Sequence, residues 1–128
     1  MHSLTNILAD SKYLLLTTFR RTGQPVSTPV WVAPDGGSLA VWTVRDSGKV
    51  KRIRRSGAVE LAPCDVRGVP HGPSVRGRAM TLDEPDTRRV ERLLVRKYGL
   101  VARLYVRLSH RRRGRDGTVG VSITVDPR

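Results

Sequence analysis

Cysteine, aromatic residues and long apolar runs are all scarce in this sequence. Cys64 is the single cysteine, so an internal disulfide framework is excluded. The N-terminus also lacks a basic segment followed by an apolar run, and we therefore predict a cytoplasmic protein. No apolar stretch approaches the roughly 20 residues that cross a bilayer, so we predict no membrane-spanning segment and no membrane partner.

Residues for metal or nucleophilic chemistry are also few. His2, His71 and His110 are scattered, and neither an HExxH nor a CxxC motif occurs. We therefore predict no metal site. Cys64 and His71 lie seven residues apart across a predicted turn, a spacing that does not by itself make a thiolate pair, and we expect an inert thiol. No catalytic residue is assigned.

Negative charge is the third scarcity. Lys and Arg outnumber Asp and Glu by 24 to 11, which gives a formal net charge of +13. Such a field attracts polyanions, and nucleic acid, anionic lipid and a phosphorylated or carboxylate-rich cofactor all fit it. Aromatic residues make up only 5% of the chain, too few for a nucleic-acid stacking platform. Charge is then the only argument for nucleic acid, and we do not expect that partner.

The residues that are present favour a mainly β fold. Val and Leu dominate the apolar residues, and 128 residues correspond to one domain, which we place over residues 1–128. Apolar runs bounded by turn residues predict six strands, of which the first three form an antiparallel meander. The prolines of the second strand make it an edge strand or give it a bulge, and Gly77 marks a bulge in the fifth. The predicted strands are Tyr13–Phe19, Pro25–Ala33, Ser38–Thr43, Ala58–Cys64, Ser74–Leu82 and Gly117–Val125.

Short peripheral helices complete the predicted fold. Leu4, Ile7 and Leu8 have helical spacing, a basic helix runs from Ser47 to Gly57, and a third helix runs from Asp83 to Gly99. Leu100, Leu104, Val106 and Leu108 are apolar residues within the next basic segment, and their pattern fits either a helix or a coil. The Arg-rich residues 110–115 have the composition of an exposed loop.

The segment Val41–Arg55 (VWTVRDSGKVKRIRR) carries the strongest indication of a ligand. A strand leads into a helix whose first residues are Ser47, Gly48, Lys49, Val50 and Lys51. Free N–H groups at a helix start, a glycine that allows close approach and nearby lysines are typical of a phosphate site. The alternative is that Ser47 is only an N-cap and the basic residues form a solvated face.

A second candidate is Ser27–Val32 (STPVWV). Pro29 removes a ladder donor, so backbone groups beside Trp31 become free to bond the edge of a flat polar ring. The alternative is an ordinary edge strand with Trp31 in the core.

Five stretches in order resemble one family. They are TTFRRTGQPVSTPVWV (Thr17–Val32), VWTVRDSGKVKRIRR (Val41–Arg55), LAPCDVRG (Leu61–Gly68), RKYG (Arg96–Gly99) and GTVGVSITVDP (Gly117–Pro127). Together they resemble the pyridoxamine 5′-phosphate oxidase-like superfamily, and within it the actinobacterial deazaflavin-dependent branch, the flavin/deazaflavin oxidoreductase B group.

The resemblance implies a six-stranded split β-barrel that forms a homodimer with two cofactor sites at its interface. In that arrangement Thr43, Ser47, Lys49 and Lys51 would hold the cofactor phosphate. The ring would be lined by Thr28, Pro29, Val30, Trp31 and Val32, and Pro63 and Cys64 would approach from the partner subunit.

The activity that the resemblance implies is hydride transfer from reduced coenzyme F420 to a small organic acceptor. FMN is the alternative cofactor, in an oxidase or reductase of the same fold, and a non-catalytic F420 carrier is a further alternative. The basic surface favours F420, because its polyglutamate tail offers more negative charge than FMN does.

Overall fold

The computed structural model describes residues 4–126, so His2 and Pro127 lie outside the described residues. Within that range the chain forms four α-helices and seven β-strands, with a short 3-10 turn at Arg115–Gly117. In chain order these are α1 (Leu4–Ala9), β1 (Tyr13–Phe19), β2 (Pro25–Val30), β3 (Ala33–Asp35), β4 (Ser38–Val44), α2 (Gly48–Arg55), β5 (Ala58–Cys64), β6 (Val75–Thr81), α3 (Glu84–Tyr98), α4 (Leu100–Arg113) and β7 (Thr118–Val125).

All seven strands belong to one curled antiparallel sheet of order β2-β1-β5-β6-β7-β4-β3. The prediction of a mainly β fold is confirmed. The described sheet has one strand more than predicted, because Ala33–Asp35 pairs with β4 instead of ending the preceding strand. Strands β2 and β3 are the two edges and do not pair with each other, so the curled sheet remains open between them.

The predicted meander of the first three strands is confirmed for the antiparallel pairing of β1 with β2, and is wrong for the third strand, which does not pair with β2. Strand β1 pairs with β2 and β5, whereas β4 pairs with β3 and β7. After β2 the chain does not fold back but crosses to the opposite edge of the sheet, and Val32 on this connection is fully buried in the core. The tight reversal comes later, at Gly36 and Gly37, which both have positive φ as a two-residue hairpin turn requires.

Two clusters of apolar side chains hold the structure together. The larger lies inside the curled sheet and includes Leu14, Leu16 and Leu39, all at most 1% exposed, with α1 packed against it. The smaller lies between β4 and α3, around Val90 and Leu94. Both are built mainly from Leu, Val and Ala, as the composition suggested, and the larger also contains Ile53 and Ile123.

Gly77 does not form the predicted bulge. It pairs in register with Val59 on one side and Val125 on the other. A Cβ at this position would lie 2.8 Å from the carbonyl oxygen of Thr124 and 3.0 Å from Leu61 Cδ1. A glycine is needed at this position because the neighbouring strands of the sheet approach its Cα too closely to leave room for a side chain.

The helices up to residue 99 lie where the sequence predicted them. The prediction of an exposed loop over residues 110–115 is wrong for its first four residues, which are helical. Residues 100–113 form α4, whose Ala102, Val106 and Ser109 are buried. His110 belongs to the last turn of this helix, where its ring bonds the buried carboxylate of Glu91 at 2.9 Å. Among the described residues, no helix is both long enough and apolar enough to span a membrane.

Candidate cofactor site

A cavity of about 360 Å³ opens between the end of β2, the C-terminal end of β4 and the helices α2 to α4. Its wall is mostly apolar and aromatic, with a few polar groups, which is the usual make-up of a small-molecule site. The lining residues are Tyr13, Pro29, Val30, Trp31, Trp42, Thr43, Val44, Lys49, Leu94, Tyr105, Ser109 and Thr118.

Aromatic rings form one side of the cavity. The Trp31 ring stacks on Tyr98 with centroids 4.7 Å apart and an angle of 15° between the planes. Tyr105 from α4 meets Trp31 and Trp42 edge-on, at 5.5 and 5.8 Å. These contacts hold each ring in a defined orientation, so they present a preformed surface for a flat ligand.

The end of α3 fixes the backbone beside the cavity. The Lys97 ammonium donates to the carbonyl oxygens of Ala9, Ser11 and Val32 at 2.6–2.7 Å. The Tyr98 hydroxyl accepts from Val32 N–H at 3.1 Å and donates to Lys12 O at 2.6 Å. Burial lowers the pKa of Lys97 and raises the pKa of Tyr98. Two side chains thus hold the residue that follows Trp31.

Three buried polar atoms beside or near the cavity have no hydrogen-bond partner in the described chain. They are Trp42 Nε1, Thr118 Oγ1 and Thr28 Oγ1. Trp42 and Thr118 line the cavity itself. Burying an unpaired N–H or hydroxyl costs about 1–3 kcal/mol, so such groups are expected to meet a ligand or ordered water. The two that line the cavity offer one donor and one donor-acceptor to a polar ring.

The start of α2 brings positive charge to the cavity. Ser47 is the N-cap, and its Oγ accepts from Val50 N–H at 3.4 Å, as the capping alternative anticipated. Lys49 lines the cavity and makes no hydrogen bond or ion pair with the described protein, and burial followed by repulsion from Arg52 lowers its pKa. A desolvated ammonium without an anionic neighbour is suited to bind a phosphate.

Gly48 has a local structural role in addition. A Cβ at this position would lie 2.8 Å from Nη1 of Arg52. That guanidinium turns back to bond Thr18 Oγ1 through its Nε at 2.7 Å. The small residue thus leaves room for Arg52, and the backbone N–H groups of Gly48 and Lys49 stay open to solvent or ligand, whereas that of Val50 is capped by Ser47.

A second, smaller recess of about 280 Å³ lies on the other side of α2. Every one of its lining residues is basic: Arg20, Arg21, Lys51, Arg52 and Arg55. Arg55 bonds the carbonyl oxygen of Phe19, which ties this helix to the turn after β1. Lys51 therefore belongs to this recess, separated from Lys49 by one residue of the helix.

The structure brings together only part of the predicted site. Pro29, Val30, Trp31, Thr43 and Lys49 line one cavity. The remaining predicted residues lie elsewhere: Val32 and Val50 are fully buried in the core, Ser47 and Gly48 begin α2, Thr28 lies on β2 and Lys51 in the basic recess.

Pro63 and Cys64 do not line the cavity of their own chain. They end β5, where they pair with Leu14 and Tyr13. Burial, reinforced by the nearby Asp65 carboxylate, raises the pKa of the Cys64 thiol, which is the direction that makes a thiol less reactive. Within residues 4–126 no group of three or more His, Cys, Asp or Glu side chains could hold a metal ion.

Several lining residues were missed by the sequence analysis. Trp42 stands beside Thr43 in the quoted stretch, and its position next to a predicted polar site was a usable signal. Tyr105 and Ser109 could not be found, because residues 100–108 were not assigned to a helix. Thr118 joins the site only through the pairing of β7 with β4.

Residues 2–126 match the sequence model of a family described as pyridoxamine 5′-phosphate oxidase. No curated protein matches the chain.

Among solved structures, the fold is shared with several proteins at low sequence identity. One is an F420 reductase, 20% identical, with 99% of this chain and 97% of that chain covered and a TM-score of 0.65. A conserved hypothetical protein from Mycobacterium tuberculosis is 24% identical, with 99% and 82% covered and a TM-score of 0.72. An FAD-binding protein from Mesorhizobium loti is 17% identical, with 96% and 85% covered and a TM-score of 0.64. These likenesses establish the shared fold.

Proposed function

The chain belongs to the pyridoxamine 5′-phosphate oxidase family, and from this premise we propose that it is an oxidoreductase that uses reduced coenzyme F420 to reduce a small organic acceptor. The family and the structural neighbours, which include an F420 reductase and an FAD-binding protein, support an oxidoreductase with a flavin-type cofactor. The choice of F420, the hydride transfer and the acceptor class are the proposal.

The observation that carries the proposal is the combination of unpaired buried donors with an unpaired lysine in one aromatic cavity. Trp42 Nε1 and Thr118 Oγ1 would bond the polar edge of a ring, while the aromatic side of the cavity covers its face. Lys49, at the capped start of α2, would hold the phosphate with Thr43. The residues present therefore fit a phosphorylated flavin-type group.

The basic recess favours F420 over FMN. FMN ends at its phosphate, which the lysine of the cavity can neutralise. The five cations on the far side of α2 have no acid among them and would suit a chain of carboxylates that continues past the phosphate. A polyglutamate tail is such a chain.

The chemistry that the bound cofactor supplies is the hydride. The residues of this chain orient both reactants, since the rings of Trp31 and Tyr105 limit where a flat acceptor can lie. The apolar wall around Val30, Val44 and Leu94 excludes water from the reacting faces. In this proposal the proton that completes the reduction comes from solvent, and no side chain is assigned as the acid.

A homodimer with the cofactor between subunits is part of the proposal. Pro63 and Cys64 lie outside the cavity of their own chain, and the family resemblance would bring them to a cofactor held by the second subunit. The loop that follows them exposes Val66 and Val69, at 62% and 51% of their surfaces. Exposed apolar side chains in that position support a contact with a second copy.

Fluorescence titration of the purified protein with F420, FMN and FAD at physiological salt tests the function. We expect saturable F420 binding at one site per subunit and weaker binding of FMN and FAD. Binding of FMN alone would favour the alternative oxidase or reductase, and binding of none would contradict a cofactor site.

Turnover separates an enzyme from a carrier. Reduced F420 is mixed with the protein and a panel of conjugated alkenes, imines and tetrapyrroles, and its oxidation is followed by absorbance. We expect oxidation that depends on both protein and acceptor. Tight binding without oxidation by any acceptor class would support a protein that carries F420.

A further inference from the structure

Helix α4 presents an apolar face to solvent. Leu100, Val101, Leu104, Tyr105 and Leu108 are 80%, 67%, 59%, 50% and 48% exposed. Their spacing of i, i+1, i+4, i+5 and i+8 places them on one side of the helix, which we call the α4 face. The opposite side, with Ala102, Val106 and Ser109, is buried against the protein. A surface helix normally shows the reverse, with its polar side outward.

Arginines line one edge and the C-terminal end of the α4 face. Arg103, Arg107 and Arg111 each follow a leucine of the face by three positions, so each lies beside it on the helix surface. Arg112 and Arg113 add two charges at the C-terminal end. All five are exposed, and none of their side chains bonds another described residue. The helix contains no acidic residue.

We propose that the α4 face docks on the surface of an anionic lipid membrane. A helix with an exposed apolar side and a border of arginines is the arrangement that lies in a membrane interface, with leucines among the acyl chains and cations at the phosphates. The net charge of +13 adds attraction at long range. The segment does not span the bilayer, so the docking is a surface contact. It departs from the expectation of no membrane partner, which rested only on the absence of a spanning run.

Charge argues against a second copy of this chain on the same face. Two α4 faces in symmetric contact would bring ten arginines together, and the helix offers no carboxylate to pair them. An anionic lipid surface supplies the missing charge and the apolar layer at once. The docking does not depend on the cofactor proposed above and is measured on the protein alone.

Co-sedimentation with vesicles tests the docking. We expect binding to vesicles of equal parts phosphatidylglycerol and phosphatidylcholine, little binding to phosphatidylcholine alone, and release at high salt. The variant Leu104→Ser/Leu108→Ser should bind at least 10-fold more weakly, since it removes two of the most buried groups of the docked state. Its matched control, Met80→Ser, changes a side chain that is 63% exposed on β6 and should bind as the wild type does.

The contribution of the arginines to docking is tested by a second variant and a control of equal charge. Arg103→Gln/Arg107→Gln should weaken binding roughly 20- to 30-fold. Arg76→Gln/Arg78→Gln removes the same net charge from exposed positions on β6 and should weaken it much less. Equal losses in the two pairs would show that only overall charge attracts the vesicles, and would overturn docking by α4.

Two further measurements separate membrane docking from self-association through α4. Sedimentation velocity without vesicles would overturn the proposal if the wild type self-associates and Leu104→Ser/Leu108→Ser does not, because a second copy would then occupy the face. Amide hydrogen exchange of the wild type should show slower exchange in α4 when anionic vesicles are added. Unchanged exchange there would also overturn it, whatever the variants do.

Discussion

Replacing Lys49 by methionine should weaken the binding of the cofactor without lowering the stability of the fold. The ammonium is partly buried and makes no bond within the described protein, and burial lowers its pKa below its ordinary value of 10.5. At neutral pH the charged form is therefore unfavourable to the folded protein, a cost that would vanish only as the pH rises from the lowered pKa towards 10.5. Methionine removes this cost and keeps an unbranched side chain only one atom shorter, so the free energy of unfolding should stay equal or rise.

Lys49→Met should weaken cofactor binding, although it leaves the stability of the protein equal or higher. If Lys49 holds the cofactor phosphate, the variant loses a charge-assisted hydrogen bond, which contributes about 1.5–3 kcal/mol. The dissociation constant for F420 should then rise about 10- to 150-fold. The same change is expected for FMN, because both cofactors carry the phosphate, whereas the loss should be smaller for the bare deazaflavin ring.

The assay is fluorescence titration together with urea unfolding of the protein without cofactor. Lys12→Met is the control, because it removes one charge from an exposed lysine that does not line the cavity. We expect Lys12→Met to change affinity less than about 3-fold, by screened long-range attraction alone. Unchanged affinity in Lys49→Met, or a loss equal to that of the control, would refute the placement of the phosphate.

Three further substitutions test how the site and the fold are held. Tyr98→Phe removes the hydroxyl that bonds Val32 N–H and should lower F420 affinity about 5-fold in the same titration, with about 1 kcal/mol of stability lost. Glu91→Gln leaves the mostly buried Arg88 without its anion and should cost about 3 kcal/mol in urea unfolding. Gly77→Ala forces a methyl group to 2.8 Å from a backbone oxygen and should cost about 1–3 kcal/mol, seen as a lower Tm.

Two of these substitutions have a matched control in the same chain. Gly72→Ala adds a methyl group that meets only side-chain carbons of Pro63, the nearer at 3.4 Å, so its Tm should barely change. Glu84→Gln removes an exposed carboxylate from the same helix as Glu91 and should cost less than about 1 kcal/mol. If Gly77→Ala lowered the Tm no more than Gly72→Ala does, the close approach at Gly77 would be wrong. If Glu91→Gln cost no more stability than Glu84→Gln does, the buried ion pair of Glu91 with Arg88 would be wrong.

Local sequence patterns were enough for most elements. Ala58–Cys64 was predicted with its observed bounds, and α3 was placed by Asp83 at its start, which caps it through Asp86 N–H, and by Gly99 at its end. Turn residues and caps act within a few positions along the chain, so they can be read without knowing the fold. Residues 100–113 were not predicted as a helix because α4 has leucine on the side that faces solvent, so its apolar residues do not mark a buried face.

The sequence by itself determined the fold class, the family resemblance and the basic start of α2. Only the tertiary structure decided which strands are neighbours and which residues share the cavity. Thr118 reaches Trp42 and Lys49 through pairing of β7 with β4, and Tyr105 reaches them through packing of α4. Such contacts join residues far apart in the chain, and their energy depends on the shape of both partners, which no local pattern records.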